Sequence, residues 1–476
     1  MIVASLPFLW LSLALTPLLA EPPCLRPTRA ATQVQGEVRV CPGRYRIHDR
    51  SEQGIIIAAA SGTRIDLTGV VLASGDSVAG RFVGAGIVSR GVDGVTVIGG
   101  AIRGYRYGIR LTGGRGHRIM GVDLSGSRNQ GVRSTPARPD PADQLDLVHP
   151  DSFIQYGGGI LLQRTSNATI TGIRARGAQN GIALLEVRES YIADNDVTMN
   201  NGWGIHLWRS SRNVIARNRA DHIRRCESQV PAADCGAAAV LLRDASDSNT
   251  VVDNDLTASS LGLLLGGEAQ GLRPSIGNLV YRNDASSALR TGFVSVGGWN
   301  NTFQENRADS TAIGFRLNHS GRSTLYSNTA IGARTAGIIS DHGSDNTILA
   351  NVLIGGPVGI RVGAPEQPGD SSRRYRIDDN VLSRLERGIV LERTTGARLR
   401  GNVFDGVGDG LVIDGDGHAT EVTGNIFLRA SRWFIEAPDL AAGGNYWATA
   451  DAAIATSKVK GRISVLPWKP ASAAGY

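Results

Sequence analysis

Along most of this chain, apolar residues alternate with polar or small ones for only three to five positions before Gly, Asn, Asp or Ser breaks the run. That period of two predicts short strands, and no apolar run keeps a helical period over several turns. One strand form recurs. Gly-Ile-x-Leu or a close variant begins at Gly86, Gly108, Gly131, Gly159, Gly181, Gly204, Ala239, Gly262, Gly292, Gly314, Gly337, Gly359, Gly388 and Gly410. Nine of the thirteen steps between them are 22 or 23 residues, and the other four, of 28, 35, 30 and 29, carry insertions. An asparagine keeps the same period at Asn195, Asn218, Asn254, Asn283, Asn306, Asn328, Asn351, Asn380, Asn402 and Asn425. Asparagine tolerates the left-handed backbone of a sharp bend, so these positions predict a ladder of amides bonded from coil to coil.

Repeats of this length bury a core only by stacking, which means a solenoid. With two or three strands per unit, the fold class is all-β: a right-handed parallel β-helix of roughly 22-residue coils with N- and C-terminal caps. In Gly204-Ile205-His206-Leu207-Trp208, alternation sends Ile205 and Leu207 inward and leaves Gly204, His206 and Trp208 facing out. Thirteen steps of about 4.8 Å give a rod of about 60 Å. The expected organisation is a signal peptide over 1–20, an N-terminal cap over 21–53, the β-helix over 54–430 and a C-terminal cap over 431–476. The longest inserted loop is expected between about Asp221 and Cys235. Inserted loops bordering one strand stack would wall a groove floored by the outward strand positions.

Export changes the reading of the cysteines. Met1 to Ala20 contain no charged side chain and carry the apolar run Leu6 to Leu15, as a secretory signal peptide does. The stretch is short for spanning a bilayer, so the chain is expected to be periplasmic or secreted with no transmembrane segment after cleavage. In that setting, four cysteines read as two disulfides, Cys24 to Cys41 and Cys226 to Cys235. The formal net charge of +7 at pH 7 suits an acidic polymer. No Lys/Arg block, helix-turn-helix or finger spacing points to nucleic acid, and the oligomeric state is left open.

The Gly-Ile-x-Leu and Asn-x-x-Ile repeats resemble the right-handed parallel β-helix superfamily. It includes pectate-lyase-like enzymes, mannuronan epimerases and the periplasmic accessory protein for the copper site of nitrous oxide reductase. The ending Asn445-Tyr446-Trp447 with Pro467-Trp468 looks like a recurrent terminus of that superfamily. The resemblance implies the fold, but it implies activity only weakly, because periodic Gly, Asn and Ile are structural. His149-Pro150-Asp151 is a partial echo of the epimerases' Asp-Pro-His-Asp, and the paired aspartates and Gly-His-Gly of polygalacturonases are absent.

Candidate chemistry lies on the outward column. Trp208 offers a flat surface for a sugar ring, and Arg110 and Arg243 suit a uronate carboxylate, with Gln163 nearby. Elimination or epimerisation of a uronate needs a base, a neutralising cation and an acid. His206 or His149 would be the base, Arg133 or Arg110 the cation, and Tyr156 the acid. A lyase or epimerase acting on an acidic polysaccharide is therefore the first expectation. The alternatives are a non-catalytic glycan-binding or structural β-helix, or an accessory protein for copper-enzyme maturation, although soft copper ligands are scarce. Calcium would suit the carboxylates of Asp140, Asp143, Asp146 and Asp151, but their spacing matches no calcium loop, so no metal is assigned. A distal set, Arg316, Asn318, His319, Asp341, His342 and Arg361, invites a hydrolytic or metal reading.

Overall fold

The computed structural model describes residues 24–135, 137–138, 140–145, 149–225, 237–266, 271–363, 372–414, 420–449 and 451–467. Two long sheets run the length of the rod, one of eighteen strands and one of fifteen. Neighbouring strands come from successive coils and pair in parallel, as in Asn180–Leu185 with Trp203–Trp208 and Tyr191–Ala193 with Val214–Ala216. This is the stacked architecture that the repeat predicts. Thr32–Val34, Glu37–Arg39 and Gly43–Arg46 already pair with the coil that follows them.

One register explains the core. Ile109, Ile160, Ile182, Ile205, Val240 and Leu263 stand in line on consecutive coils and are fully buried. Each removes its side chain from water against the same position above and below, which no single coil achieves alone. The strand glycines do not simply face out. A Cβ on Gly181 or Gly314 would sit 2.5 Å from the carbonyl oxygen of Gly204 or Gly337 on the next coil. Glycine marks the motif because coils approach too closely there for a side chain.

The amide ladder runs as predicted and continues to Asn445. Each asparagine donates its Nδ2–H to the Oδ1 of the next, as in Asn195 to Asn218 at 2.9 Å and Asn425 to Asn445 at 3.0 Å. A second ladder links Asn213, Asn249, Asn278 and Asn301 on the other side of the same short strands. At the N-terminal end, Cys24 and Cys41 form a disulfide. At the far end, Trp447 stacks on Phe427 with ring centroids 5.0 Å apart. Cys226 and Cys235 lie outside the described residues, as do residues 1–20. No helix among the described residues is long and apolar enough to cross a membrane.

One expected coil strand is absent. Tyr107–Thr112 pairs directly with Gly158–Gln163, so Gly131-Val132-Arg133 is not part of the sheet. The backbone N–H groups of Arg133 and Ser134 donate to the Asp143 carboxylate at 2.9 and 2.5 Å. Those donors are then not available to a neighbouring coil. The segment between these two strands, rather than 221–235, is therefore the longest insertion, and Arg133 belongs to a loop.

Candidate functional site

The inserted segment folds back over the outer face of the eighteen-stranded sheet. It contains a 3-10 turn, Pro141–Asp143, whose preceding residue Asp140 accepts from Ala142 N–H at 2.9 Å. A short helix, α1 (Pro150–Tyr156), follows, with proline in its first turn. Proline fits there because its missing N–H would be unpaired anyway. Tyr107 Oη donates to the Phe153 carbonyl at 2.5 Å and ties α1 to the sheet. A second tie comes from Arg225, whose side chain is 1% exposed. Its Nε–H donates to the Asp143 carbonyl at 2.5 Å, and its guanidinium lies 3.9 Å from the Asp143 carboxylate. Burial works against the Asp143 charge, but bonds from Ser134 and Arg133 and the Arg225 charge outweigh it and hold the carboxyl below its ordinary range.

Beneath this cover, the outward column is apolar. Leu161, Ala183, Leu241, Leu264 and Val294 join Leu145, Phe153 and Leu272 in a second core, separate from the one inside the rod. The expected groove floor is thus covered over these coils. His206 faces out, as alternation requires, and yet is 1% exposed. Its ring lies 4.3 Å from Phe153 and 4.7 Å from Trp203. Burial, helped by the Arg243 charge, pushes its pKa down to about 3, so the imidazole is neutral. His206 Nε2 and Trp208 Nε1 are buried without hydrogen-bond partners.

The remaining candidates are dispersed. Trp208 is buried beside Phe153, with centroids 5.0 Å apart, and Arg243 is buried on the adjoining coil. Gln163 and Tyr156 are half-buried, and Tyr156 meets the edge of Trp203. Arg110 stands three coils from His206 in the same column, about 14 Å away. Arg133 is exposed and lines a cavity of about 570 Å³ with Arg128, Asp143 and Arg225. His149 is exposed at the start of α1. The structure therefore brings His206, Trp208 and Tyr156 together in an aromatic cluster. It does not join Arg110 or Arg133 to them. Phe153, Trp203 and Arg225, which form or lock the cover, have no periodic signal in the sequence.

Further along the rod the outward column alternates, with Arg316 and Arg361 set among Ile339 and Val390, which join Ala336 and Val358 in a third apolar cluster. Arg316 meets Asp341 at 3.2 Å, and Arg361 meets Glu392 at 2.9 Å. Burial raises the Asp341 pKa, although Arg316 and Arg361 oppose it. His319 and His342 stack on neighbouring coils, with centroids 4.7 Å apart and planes 5° from parallel. Imidazole lone pairs lie in the ring plane, so two rings stacked in this way do not aim at one metal ion. No group of three or more His, Cys, Asp or Glu among the described residues could hold a metal. Cys24 and Cys41 are consumed in their disulfide, so soft ligands are few. The described residues do not fit a resident copper ion.

A family model described as "Periplasmic copper-binding protein (NosD)" matches residues 61–260 and 228–366. No curated protein matches the chain by sequence. Among solved structures, the chain is similar to PfbA, a surface adhesin of Streptococcus pneumoniae, with 12% identity, 84% of each chain covered and a TM-score of 0.43. It is also similar to the periplasmic alginate epimerase AlgG, with 15% identity, 83% of this chain and 85% of that one covered and a TM-score of 0.42. The catalytic domain of a GH87 alpha-1,3-glucanase gives 13% identity, 85% and 70% coverage and a TM-score of 0.47.

Proposed function

Since the chain belongs to the NosD family of periplasmic copper-binding proteins, we propose that it is a periplasmic accessory protein for copper-enzyme maturation, working as a non-catalytic scaffold. The observation that carries this reading is the burial of His206 beneath α1. A lyase or epimerase needs base, cation and acid at one sugar carbon. His206 is sealed from any polymer, and Arg110 is about 14 Å along the column. A neutral imidazole with a pKa near 3 is also a weak base.

No step is assigned to copper held by this chain, because the described residues offer no converging ligand set. The rod instead supplies a rigid, basic surface, with a formal charge of +7, on which an acidic partner can dock. The disulfide at Cys24 and Cys41 suits an oxidising compartment.

Gene disruption in the source organism tests this reading. A copper enzyme of the nitrous oxide reductase kind should then accumulate with its copper content reduced. Both the wild-type chain and its His206→Leu variant should restore it. Full copper loading without the chain would sink the accessory role, and failure of His206→Leu alone would return catalysis to the face under α1.

A further inference from the structure

The fifteen-stranded sheet carries a feature that the maturation role does not use. Eight of its successive strands, from Thr169–Thr171 to Thr347–Leu349, turn their middle residue into the core and their first and third residues away from it. None of those outward residues is charged. In a chain with 20% charged residues, a strip that long without one departs from ordinary surface composition. Tyr191, Tyr281 and Tyr326 project from it, and Tyr191 and Tyr326 rank among the exposed large hydrophobic residues.

Rails of charge flank the strip. The turn residues on either side carry left-handed φ angles, and from them Arg217 donates to Tyr191 Oη at 2.8 Å and Arg282 lies over the Tyr281 ring at 4.4 Å. Arg212 pairs with Glu189, Arg282 with Asp253, and Arg374 with Asp345 within the chain. Glu305 accepts from the Gln304 side-chain amide at 2.9 Å. We propose that this uncharged strip is the interface of a homodimer, two copies of the chain packed sheet to sheet with their rods antiparallel.

Self-complementarity singles out a second copy as the partner. A two-fold axis parallel to the strands, passing midway along the strip between Thr250–Val252 and Leu279–Tyr281, lays each rail over itself in reverse order. Counting coils outward along the ladder of strands, Arg282 then faces Asp253 of the other copy, Arg217 faces Glu305, and Glu189 faces Arg322. The intrachain pair Asp253–Arg282 meets its own copy and closes into a ring of four alternating charges. No like charges meet along the eight strands. Two flat sheets pack about 10 Å apart. Seven steps of about 4.8 Å and a width of roughly 18 Å give roughly 600 Å² per copy, somewhat below the ~800 Å² per partner of a standard interface. The dimer should therefore be reversible, with a dissociation constant in the micromolar range.

Sedimentation of the chain lacking residues 1–20, over a range of concentrations, tests the proposal. The mass should rise toward twice that of one chain. Leu279→Arg places charge beside the axis on both copies and should weaken association at least tenfold, while circular dichroism stays unchanged because the side chain faces outward. Glu305→Arg should weaken it less, and Glu305→Arg combined with Arg217→Glu should recover part of the loss. A mass of one chain at every concentration up to high micromolar would overturn the interface. So would a dimer that Leu279→Arg leaves as tight as wild type.

Discussion

At pH 5 the His206→Leu variant is expected to gain about 2 kcal/mol of stability over the wild-type chain relative to their difference at pH 7.5. The effect follows from where the proton can go. In the folded chain His206 is sealed among Phe153, Trp203 and Trp208, and burial with the Arg243 charge holds its pKa at about 3. In the unfolded chain it titrates near its ordinary value of about 6.5. As pH falls below about 6.5 the unfolded state takes up a proton that the folded state refuses, and stability is lost progressively until about pH 3. At pH 5 the unfolded imidazole lies about 1.5 pH units below its pKa, which corresponds to about 2 kcal/mol. Arg243 on the adjoining coil adds to the penalty, while the cover above carries Asp143, His149, Asp151 and Tyr156 as titratable groups. His117 is held low by burial too, but it is common to both proteins. Urea midpoints at the two pH values measure the difference. Parallel pH profiles would mean that His206 titrates freely and that the cover is open in solution.

Asn306→Ala is expected to cost about 2 to 4 kcal/mol of unfolding free energy. Asn306 Oδ1 accepts from the Asn283 backbone N–H at 2.9 Å and from its Nδ2–H at 3.1 Å. Its own Nδ2–H groups donate to Val280 O at 2.9 Å and Asn328 Oδ1 at 3.1 Å. Alanine leaves the Asn283 N–H and the Val280 carbonyl buried with those bonds broken. An orphaned buried polar group costs about 1 to 3 kcal/mol, more than the net worth of the bond itself. Asn306→Ser should recover part of the loss, because a hydroxyl can accept from the N–H one coil back. Ser190 and Ser323 do so in the second ladder, receiving Ala168 N–H and Asn301 N–H. Urea unfolding of the three proteins checks the order wild type, then serine, then alanine.

The fold is legible in the sequence because its determinants are local and repeat. Gly181 or Gly314 is needed wherever two coils touch, and Ile182 or Ile205 fills the same slot in each layer. The failure at Gly131 shows the limit of that logic. Gly131-Val132-Arg133 has the right letters, but Asp143, ten residues on from Arg133, captures the backbone donors. Pattern cannot reveal a competition between a side-chain acceptor and a neighbouring coil. The site was read only in part for a related reason. Alternation places His206 and Trp208 on the outer face, as found, but what covers them is α1, too short at seven residues to show a helical period. The tie through Arg225 joins two insertions 82 residues apart in sequence. The second amide ladder at Asn213, Asn249, Asn278 and Asn301 keeps the period as clearly as the first, and its spacing could have disclosed it.

The most direct test of a scaffold without catalysis is to incubate the chain lacking residues 1–20 with a panel of uronate polysaccharides. The incubations are run with and without calcium, following ultraviolet absorbance of unsaturated sugars together with the uronate epimer ratio by NMR. The account predicts no change in either signal, at pH 5 as at pH 7.5. A rise in absorbance or a shift in epimer ratio that disappears in His206→Leu would contradict it and place a working active site beneath α1.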